Sequence, residues 1–327
     1  MIDRRAFTFS LASALAAPGF TARTRASVYP ERPVSITTQA PPGGGPDVIA
    51  RIVADGLSRH WREQVLIVNR PGGGGVIALQ AALAARPDGY ALFMGLSSTF
   101  VVLPETHPEL GARLSSDLQP VGLIGEQPMV IAVNSRLDIR SLKDLLGYAK
   151  ARPGVLLYGT VKGSLPNLTG ELLQKRTGAK LTYVPYASMA KATQDGAAGT
   201  TQVVIESLSA LAPFLAARTL RPLAIAAEKR VSEYPDLPTA AEALPELGRF
   251  ESRGWFALLA PAAAPPDAVA RVAADLQDVL SDTGLRRKFA ALGTYARPMD
   301  PADTRRFIAD EQALWRPAVD SIFSRSH

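Results

Sequence analysis

A Pro-Gly break between a strand pattern and a helix pattern constrains this chain most. It lies in the run from Ile36 to Trp61, ITTQAPPGGGPDVIARIVADGLSRHW. Val34, Ile36 and Thr38 alternate with small or polar residues, as a half-buried strand requires, and Pro41-Pro42-Gly43-Gly44-Gly45 cannot continue it. Pro46 has the fixed φ and missing N–H that suit a first helical position, and Asp47 adds a carboxylate to the first turn. Val48, Ile49, Ile52, Val53, Leu57 and Trp61 then recur at helical spacing, with Asp47, Arg51, Asp55, Ser58 and Arg62 on the opposite side. A glycine loop running into a helix N-terminus presents amides beside a positive dipole end, which makes it a candidate anion site. The charge of Asp47 weakens that pull, so a small carboxylate or a bridging water suits the loop better than a bulky phosphate. The alternative is a plain connector turn with capping residues.

The same alternation continues along the chain. A strand at 65–68, a helix at about 76–85 and a strand at 91–96 complete a βαβαβ unit. Strand patterns at 121–124 and 129–133 bracket an expected first crossing into a second domain. There a helix at 141–150, a strand at 156–158, a helix at 166–177, a strand at 181–184, a helix at 189–198 and a strand at 203–206 repeat the scheme. After a strand at 223–226, a Pro-rich segment at 235–245 leads to a strand at 255–259, read as the return crossing. Helices at 267–282 and 301–323 are expected to pack back on the first domain. Two crossings make a hinge. Links into strands echo one another, as in Ala85-Arg86-Pro87-Asp88-Gly89 and Ala151-Arg152-Pro153-Gly154. Links out of strands, at 39–46, 69–75, 95–99, 159–164, 185–190 and 206–209, are rich in Gly, Pro, Ser and Thr. Ligands bind beyond the carboxyl ends of strands in open parallel sheets, so these loops are expected to face a cleft.

The N-terminus differs from the rest. Asp3-Arg4-Arg5-Ala6-Phe7 precedes a short apolar segment and Thr24-Arg25-Ala26, the layout of an export signal, with paired arginines that fit a twin-arginine route. Removing 1–26 takes away four arginines and one aspartate, leaving +3 of the formal +6. That residue of charge, with no Lys/Arg cluster interleaved with aromatics, gives no support to nucleic-acid binding. No run reaches the roughly 18 apolar residues of a membrane span. With no cysteine there is neither disulfide nor thiolate chemistry.

Enzymatic motifs fail on detail. Gly72-Gly73-Gly74-Gly75 lacks the dinucleotide spacing, and no G-x-x-x-x-G-K-S/T occurs. Ser188-Met189-Ala190-Lys191 matches S-x-x-K without its companion motifs. His60, His107 and His327 have no metal-ligand spacing, and His60 reads as a packing residue. Glu206 closes the apolar run Val203-Val204-Ile205 and stands either at the cleft, facing an ammonium, hydroxyl or water, or at a solvated strand end. Trp255 and Phe256 read as core or hinge packing rather than stacking platforms.

Assembled, these segments resemble the extracytoplasmic solute receptors of the tripartite tricarboxylate transporter group, the Bug receptors. The marks run from Tyr29-Pro30 and Arg32-Pro33 through Pro41-Pro42-Gly43-Gly44 with Asp47 and Ala50-Arg51, and Val68-Asn69-Arg70-Pro71-Gly72 with Gly74-Gly75. They continue with Pro87-Asp88-Gly89-Tyr90, Gly163-Ser164, Val184-Pro185-Tyr186, Leu220-Arg221-Pro222-Leu223-Ala224 and Pro235-Asp236-Leu237-Pro238-Thr239 with Glu242. Trp255-Phe256 and Leu259-Ala260-Pro261 complete the set.

The resemblance implies a two-domain, α/β periplasmic-binding-protein-like fold of type II, with a mostly parallel sheet in each domain. The expected limits are 27–128 with 253–327 for the first domain and 129–252 for the second. It also implies a non-enzymatic receptor that closes on a small carboxylate, holds it with loop amides, hydroxyls and waters, needs no metal or cofactor, acts as a monomer and serves membrane permease subunits. A sensor for a membrane signalling partner is the alternative, and an enzyme on the same fold a weaker one. By resemblance and by the loop argument together, the expected ligand contacts are Gln39, Ala40, Pro41, Pro42, Gly43, Gly44, Pro46 and Asp47 in the first loop, then Ser97, Ser98 and Thr99. Across the cleft they are Thr160, Gly163, Ser164 and Asn167, then Tyr186, Ala187 and Ser188, with Glu206 and Ser207. Neutral donors can hold a carboxylate because several hydrogen bonds offset the cost of burying it. Several positions depart from the family pattern. Ala40 stands where an aromatic is usual and Pro46 where Thr is frequent, which would widen the pocket there. Val161 and Asn167 replace Gly and His, Ala187-Ser188 replaces Lys-Gly, and Glu206 replaces Asp.

Overall fold

In the computed structural model, residues 29–323 are described. The export-signal reading of 1–26 lies outside them. β1 (Val34–Thr38) is flanked in parallel by β2 (Val65–Asn69) and β3 (Ala91–Leu96), with α1 (Gly45–Trp61) and α2 (Val76–Leu83) as the crossovers. Three short helices, α3 (Ser97–Val101), α4 (Leu103–Thr106) and α5 (Pro108–Asp117), lead to β4 (Leu118–Asn134). Beyond it come α6 (Leu142–Ala151), β5 (Leu157–Thr160), α7 (Leu165–Thr177), β6 (Thr182–Pro185), α8 (Met189–Ala198) and β7 (Val203–Ser207). Here β5 pairs in parallel with β6 and β7. Then follow α9 (Leu208–Ala216), β8 (Leu220–Ile225), α10 (Ala240–Ala243), β9 (Arg253–Pro261), α11 (Pro266–Ser281), α12 (Thr283–Ala291), β10 (Tyr295–Met299) and α13 (Pro301–Phe323). One sheet results, in the order β2-β1-β3-β9-β4-β7-β5-β6, with β8 and β10 also on β4. Both flanks are parallel, and the strands through the middle are antiparallel. We call the β2-β1-β3-β9 side the first lobe and the β7-β5-β6 side the second.

The two strand patterns expected at 121–124 and 129–133 are one strand of 17 residues. Pro128 sits where β4 changes partners: Pro128 is opposite Arg253 of β9, and Met129 is already opposite Ser207 of β7. A missing N–H is tolerated at such a change of ladder.

Period-two alternation sorts the core. Trp255, Ala257 and Leu259 face one cluster while Phe256, Leu258 and Ala260 face another, and Ile131 and Val133 separate likewise from Val130 and Ala132. Trp255 and Phe256 are core residues, as expected, with Trp255 stacked on Phe100 at 4.9 Å. The cluster containing Trp255 runs without interruption from Phe93 and Phe100 to Tyr158 and Leu173, so one apolar layer underlies both lobes. The second cluster seals α1 and α11 onto the outer face of the first lobe through Ile49, Val53 and Leu57 against Val272, Leu276 and Leu280. α13 packs on α3, α4 and β10 of the first lobe and, beyond what was expected, also reaches the second lobe. Its 23 residues make a rod about 35 Å long, which starts beside β10, crosses β4 and ends against α7 of the second lobe.

A charged cluster sits where β4 and β9 cross. Arg253 is 7% exposed. Its guanidinium pairs with Glu251, lies 3.3 Å from Glu311 Oε1 and 3.2 Å from Glu126 Oε2. Glu311, on α13, also accepts from the indole N–H groups of Trp255 and Trp315, each at 3.1 Å. Arg297 and Arg249 complete the set on Glu126 and Glu251.

Candidate functional site

The first loop is held from beneath. Asp47, 1% exposed, accepts from the Gly43 N–H at 2.9 Å, from Arg51 Nε at 2.9 Å and from Asn69 Nδ2 at 2.7 Å. Asn69 Nδ2 also donates to the Ala40 carbonyl at 2.9 Å. Burial opposes ionisation of Asp47, but the bonds from Arg51, Asn69 and Gly43 outweigh it and hold the carboxyl below the ordinary aspartate range. Its charge is therefore spent on shaping the loop. Gly43 adopts φ +78°, which favours glycine, and Gly44 caps α1 with Pro46 at the start of the helix. Pro41, Pro42 and Gly43 are exposed at the tip. Ala40 is 1% exposed. At the loop's root, Gln39 donates to Ser98 Oγ at 3.2 Å and accepts from the Thr99 hydroxyl, so Gln39 and the 97–99 turn are one unit.

The second lobe offers the end of β5 and the start of α7. Ser164 caps α7, its Oγ accepting from the Asn167 N–H at 3.3 Å, and Asn167 Oδ1 accepts in turn from the Gly163 N–H at 3.0 Å. Thr160, fully buried, places its hydroxyl 3.2 Å from that of Ser164.

Between these two faces lies a cavity of about 520 Å³. Gln39, Gly73, Gly74 and Ser98 line one side, Val161, Gly163 and Ser164 the other, with Lys162, His107 and Phe323 at its margins. Of the expected residues it thus brings together Gln39, Ser98, Gly163 and Ser164, directly supported by Thr99, Thr160 and Asn167, while Asp47 shapes the first loop through Gly43 and Asn69. Ala40, Pro41, Pro42, Gly43, Gly44, Pro46 and Ser97 are adjacent to it without lining it. Ala187 and Ser188 are exposed at the start of α8, and the Tyr186 hydroxyl donates to Asp195 at 2.9 Å. Gly73 and Gly74 belong to a loop that already reads as a carboxyl-end link. Phe323 gave no comparable signal, because its place depends on where a long helix ends.

Glu206 and Ser207 stand apart from this cavity. Glu206 is partly buried opposite Val130, with its carboxylate accepting from the Ser207 N–H at 2.6 Å. Burial pushes its carboxyl above the usual 4.5, and the Ser207 donors offset only part of that. A raised carboxyl contributes stability below its unfolded value and loses it as pH rises through the folded one. Relative to Glu206→Gln, the native protein is expected to lose stability progressively from pH 4.5 upward, as thermal melts across pH will show. Parallel profiles would mean that Glu206 titrates as if in water.

His60 is not a packing residue. It is exposed in the last turn of α1, and its Nε2 lies 3.0 Å from Asp275 Oδ1, whose other oxygen accepts from Trp61 and Arg271. Asp278 completes a His-Asp-Asp group that sequence spacing could not show, on a helix pair remote from the cavity.

Comparison with known proteins agrees with this architecture. The profile of the family described as "Tripartite tricarboxylate transporter family receptor" matches residues 49–323. Protein BugT of Bordetella pertussis is 34% identical over 308 residues, 93% of this chain and 94% of BugT. Among solved structures, an R. palustris protein with adipate is similar at TM-score 0.78 and 30% identity, over 90% of this chain and 98% of that one. MatC from Rhodopseudomonas palustris with bound malate is similar at TM-score 0.72 and 26% identity, over 89% and 100%. The α/β architecture is that of a two-domain periplasmic binding protein. With a profile match across most of its length and a relative above 30% identity, the chain belongs to the receptors of the tripartite tricarboxylate transporter family.

Proposed function

We propose that this protein is an extracytoplasmic receptor that captures a small organic carboxylate between its lobes and presents it to membrane permease subunits. One observation carries the reading. The cavity lies at the carboxyl ends of parallel strands from both lobes, lined by Gln39, Ser98, Ser164 and glycine backbone, and served by the N-terminus of α7. Neutral convergent donors of this kind suit a carboxylate. The adipate and malate of two structural relatives, both dicarboxylates, support the class. Closure would turn about 128/129 and 252/253, dividing the chain into 27–128 with 253–327 and 129–252, where β4 exchanges β9 for β7. Ligand favours the closed form by as much as it binds that form better. Family membership and the leader-like residues 1–26 support export to the periplasm, and no helix among the described residues is long and apolar enough to cross a membrane.

Calorimetric titration with mono-, di- and tricarboxylates and with amino acids is expected to give saturable one-to-one binding of a carboxylate. Hydrolysis of an ester or amide, with no carboxylate bound, overturns the reading. Ser164→Ala is expected to weaken that binding about ten-fold, the order of one hydrogen bond to a charged group. It should also cost about 1 kcal/mol of stability through the lost cap of α7. Unchanged affinity in a folded variant removes Ser164 from the site.

A further inference from the structure

The donors at the end of β5 already have an occupant. Met189, first residue of α8, places its Sδ 3.4 Å from the Val161 N–H nitrogen, 3.5 Å from Thr160 Oγ1 and 3.8 Å from Ser164 Oγ. Thr160 and Ser164 are themselves 3.2 Å apart, so an amide and two hydroxyls converge on one point beside the N-terminus of α7. Val161 and Ser164 also line the cavity. A thioether is a weak acceptor, whereas a carboxylate oxygen makes charge-assisted bonds of about twice the usual strength. The donors are thus satisfied, but by a group that an anion outcompetes. Methionine has an unbranched side chain with several rotatable bonds and can withdraw without moving the backbone. The Met189 backbone is held by the Thr193 hydroxyl at 3.0 Å, while its neighbours Ala187, Ser188 and Ala190 are exposed and leave the side chain room to move.

We propose that Met189 is a displaceable internal occupant of a carboxylate seat formed by Thr160 Oγ1, Val161 N and Ser164 Oγ, and that ligand entry exchanges its sulfur for a carboxylate oxygen. The proposal rests on the receptor reading above and adds a specificity-determining residue to it. In the empty protein one of the two hydroxyls can donate to the other, and the thioether gives the Val161 amide and the remaining hydroxyl an acceptor in a partly dry site, where an unmet donor is costly. In the bound protein the displaced side chain becomes an apolar wall of the cavity. A ligand gains from the exchange only if it offers a better acceptor than sulfur, so the residue filters for anionic groups and lowers affinity for everything else.

The test uses adipate and malate as probes, with the full chain, Met189→Ala and Met189→Leu. Removing the competitor is expected to tighten carboxylate binding roughly three- to ten-fold in Met189→Ala, the range spanned by one modest hydrogen-bonding contact. The chain has five methionines, and the Met189 methyl resonance, assigned by its absence in Met189→Leu, is expected to move when the probe saturates the protein. A folded Met189→Ala whose affinity is unchanged or weaker, or a Met189 resonance unmoved at saturation, overturns the role of Met189 while leaving the receptor intact. Absence of binding by native protein and variant alike, to both probes and to every carboxylate of the calorimetric series, overturns the receptor reading and this one with it.

Discussion

Arg253→Ala is expected to cost about 3–5 kcal/mol of folding stability, the range for removing one partner of a buried ion pair. The figure is large because the acids left behind are almost wholly buried. Glu251 and Glu311 are 8% and 5% exposed; without Arg253, Glu251 keeps only the exposed Arg249 and Glu311 loses its paired cation. Burial pushes the Glu311 carboxyl above its ordinary value, with Arg253 the strongest influence in the opposite direction, so without the arginine it should take up a proton more readily still. Urea unfolding at neutral pH gives the measurement. Replacing the whole group, as Arg253→Met with Glu251→Leu and Glu311→Leu, should recover much of the loss, because well-packed apolar substitutes for buried ion pairs are often neutral or better. A loss below about 1 kcal/mol in the single variant would class the cluster with solvated surface pairs.

The second large effect belongs to the first loop. Asp47→Ala is expected to destabilise the protein by about 2–3 kcal/mol, since it removes a charged acceptor and leaves the Gly43 N–H and one Asn69 donor unmet. Carboxylate affinity should fall with it, although Asp47 does not line the cavity, because Asn69 then loses one of the two acceptors through which it ties the loop to β2. The pH signature separates this from a simple packing defect. A carboxyl depressed in the folded state contributes stability above its unfolded value, near 3.8, and loses it as pH falls through the folded value. Melting temperatures of the native and variant proteins should therefore converge in acid below that point. A gap that stays constant to low pH would assign the loss to shape alone.

Much of this was legible because it is periodic. Alternation in Val34–Thr38, helical spacing in α1 and the Gly-Pro links were enough for the parallel flanks, and the family resemblance together with the carboxyl-end rule led to Gln39, Ser98, Gly163 and Ser164. Asp47 could be assigned to the helix start from position alone, but its partner Asn69 lies 22 residues away and had to be seen. The single strand β4 was expected as two, with a domain crossing between them; Pro128 at that junction fits because the ladder changes there from β9 to β7. His60 misled because apolar neighbours in sequence do not bury a residue when the facing helix presents Asp275 instead. Met189 was noticed only for a serine motif, since no local pattern reports that a side chain folds back onto a loop 25 residues earlier.

The course of α13 bears on how receptors of this kind can diversify. Its early turns, with Phe307, belong with the first lobe, but Phe323 at its end lies close enough to Gly163 that a Cβ there would come within 2.8 Å of the ring. Phe323, at the end of α13, is therefore part of the wall of a cavity whose other members lie between Gln39 and Ser164. Lobes cannot be traded between relatives as cassettes: a second lobe grafted from another receptor would arrive without the terminal turn that finishes its pocket. Drift in ligand preference at Gly163 and at Phe323 should be inherited jointly, across 160 positions of sequence.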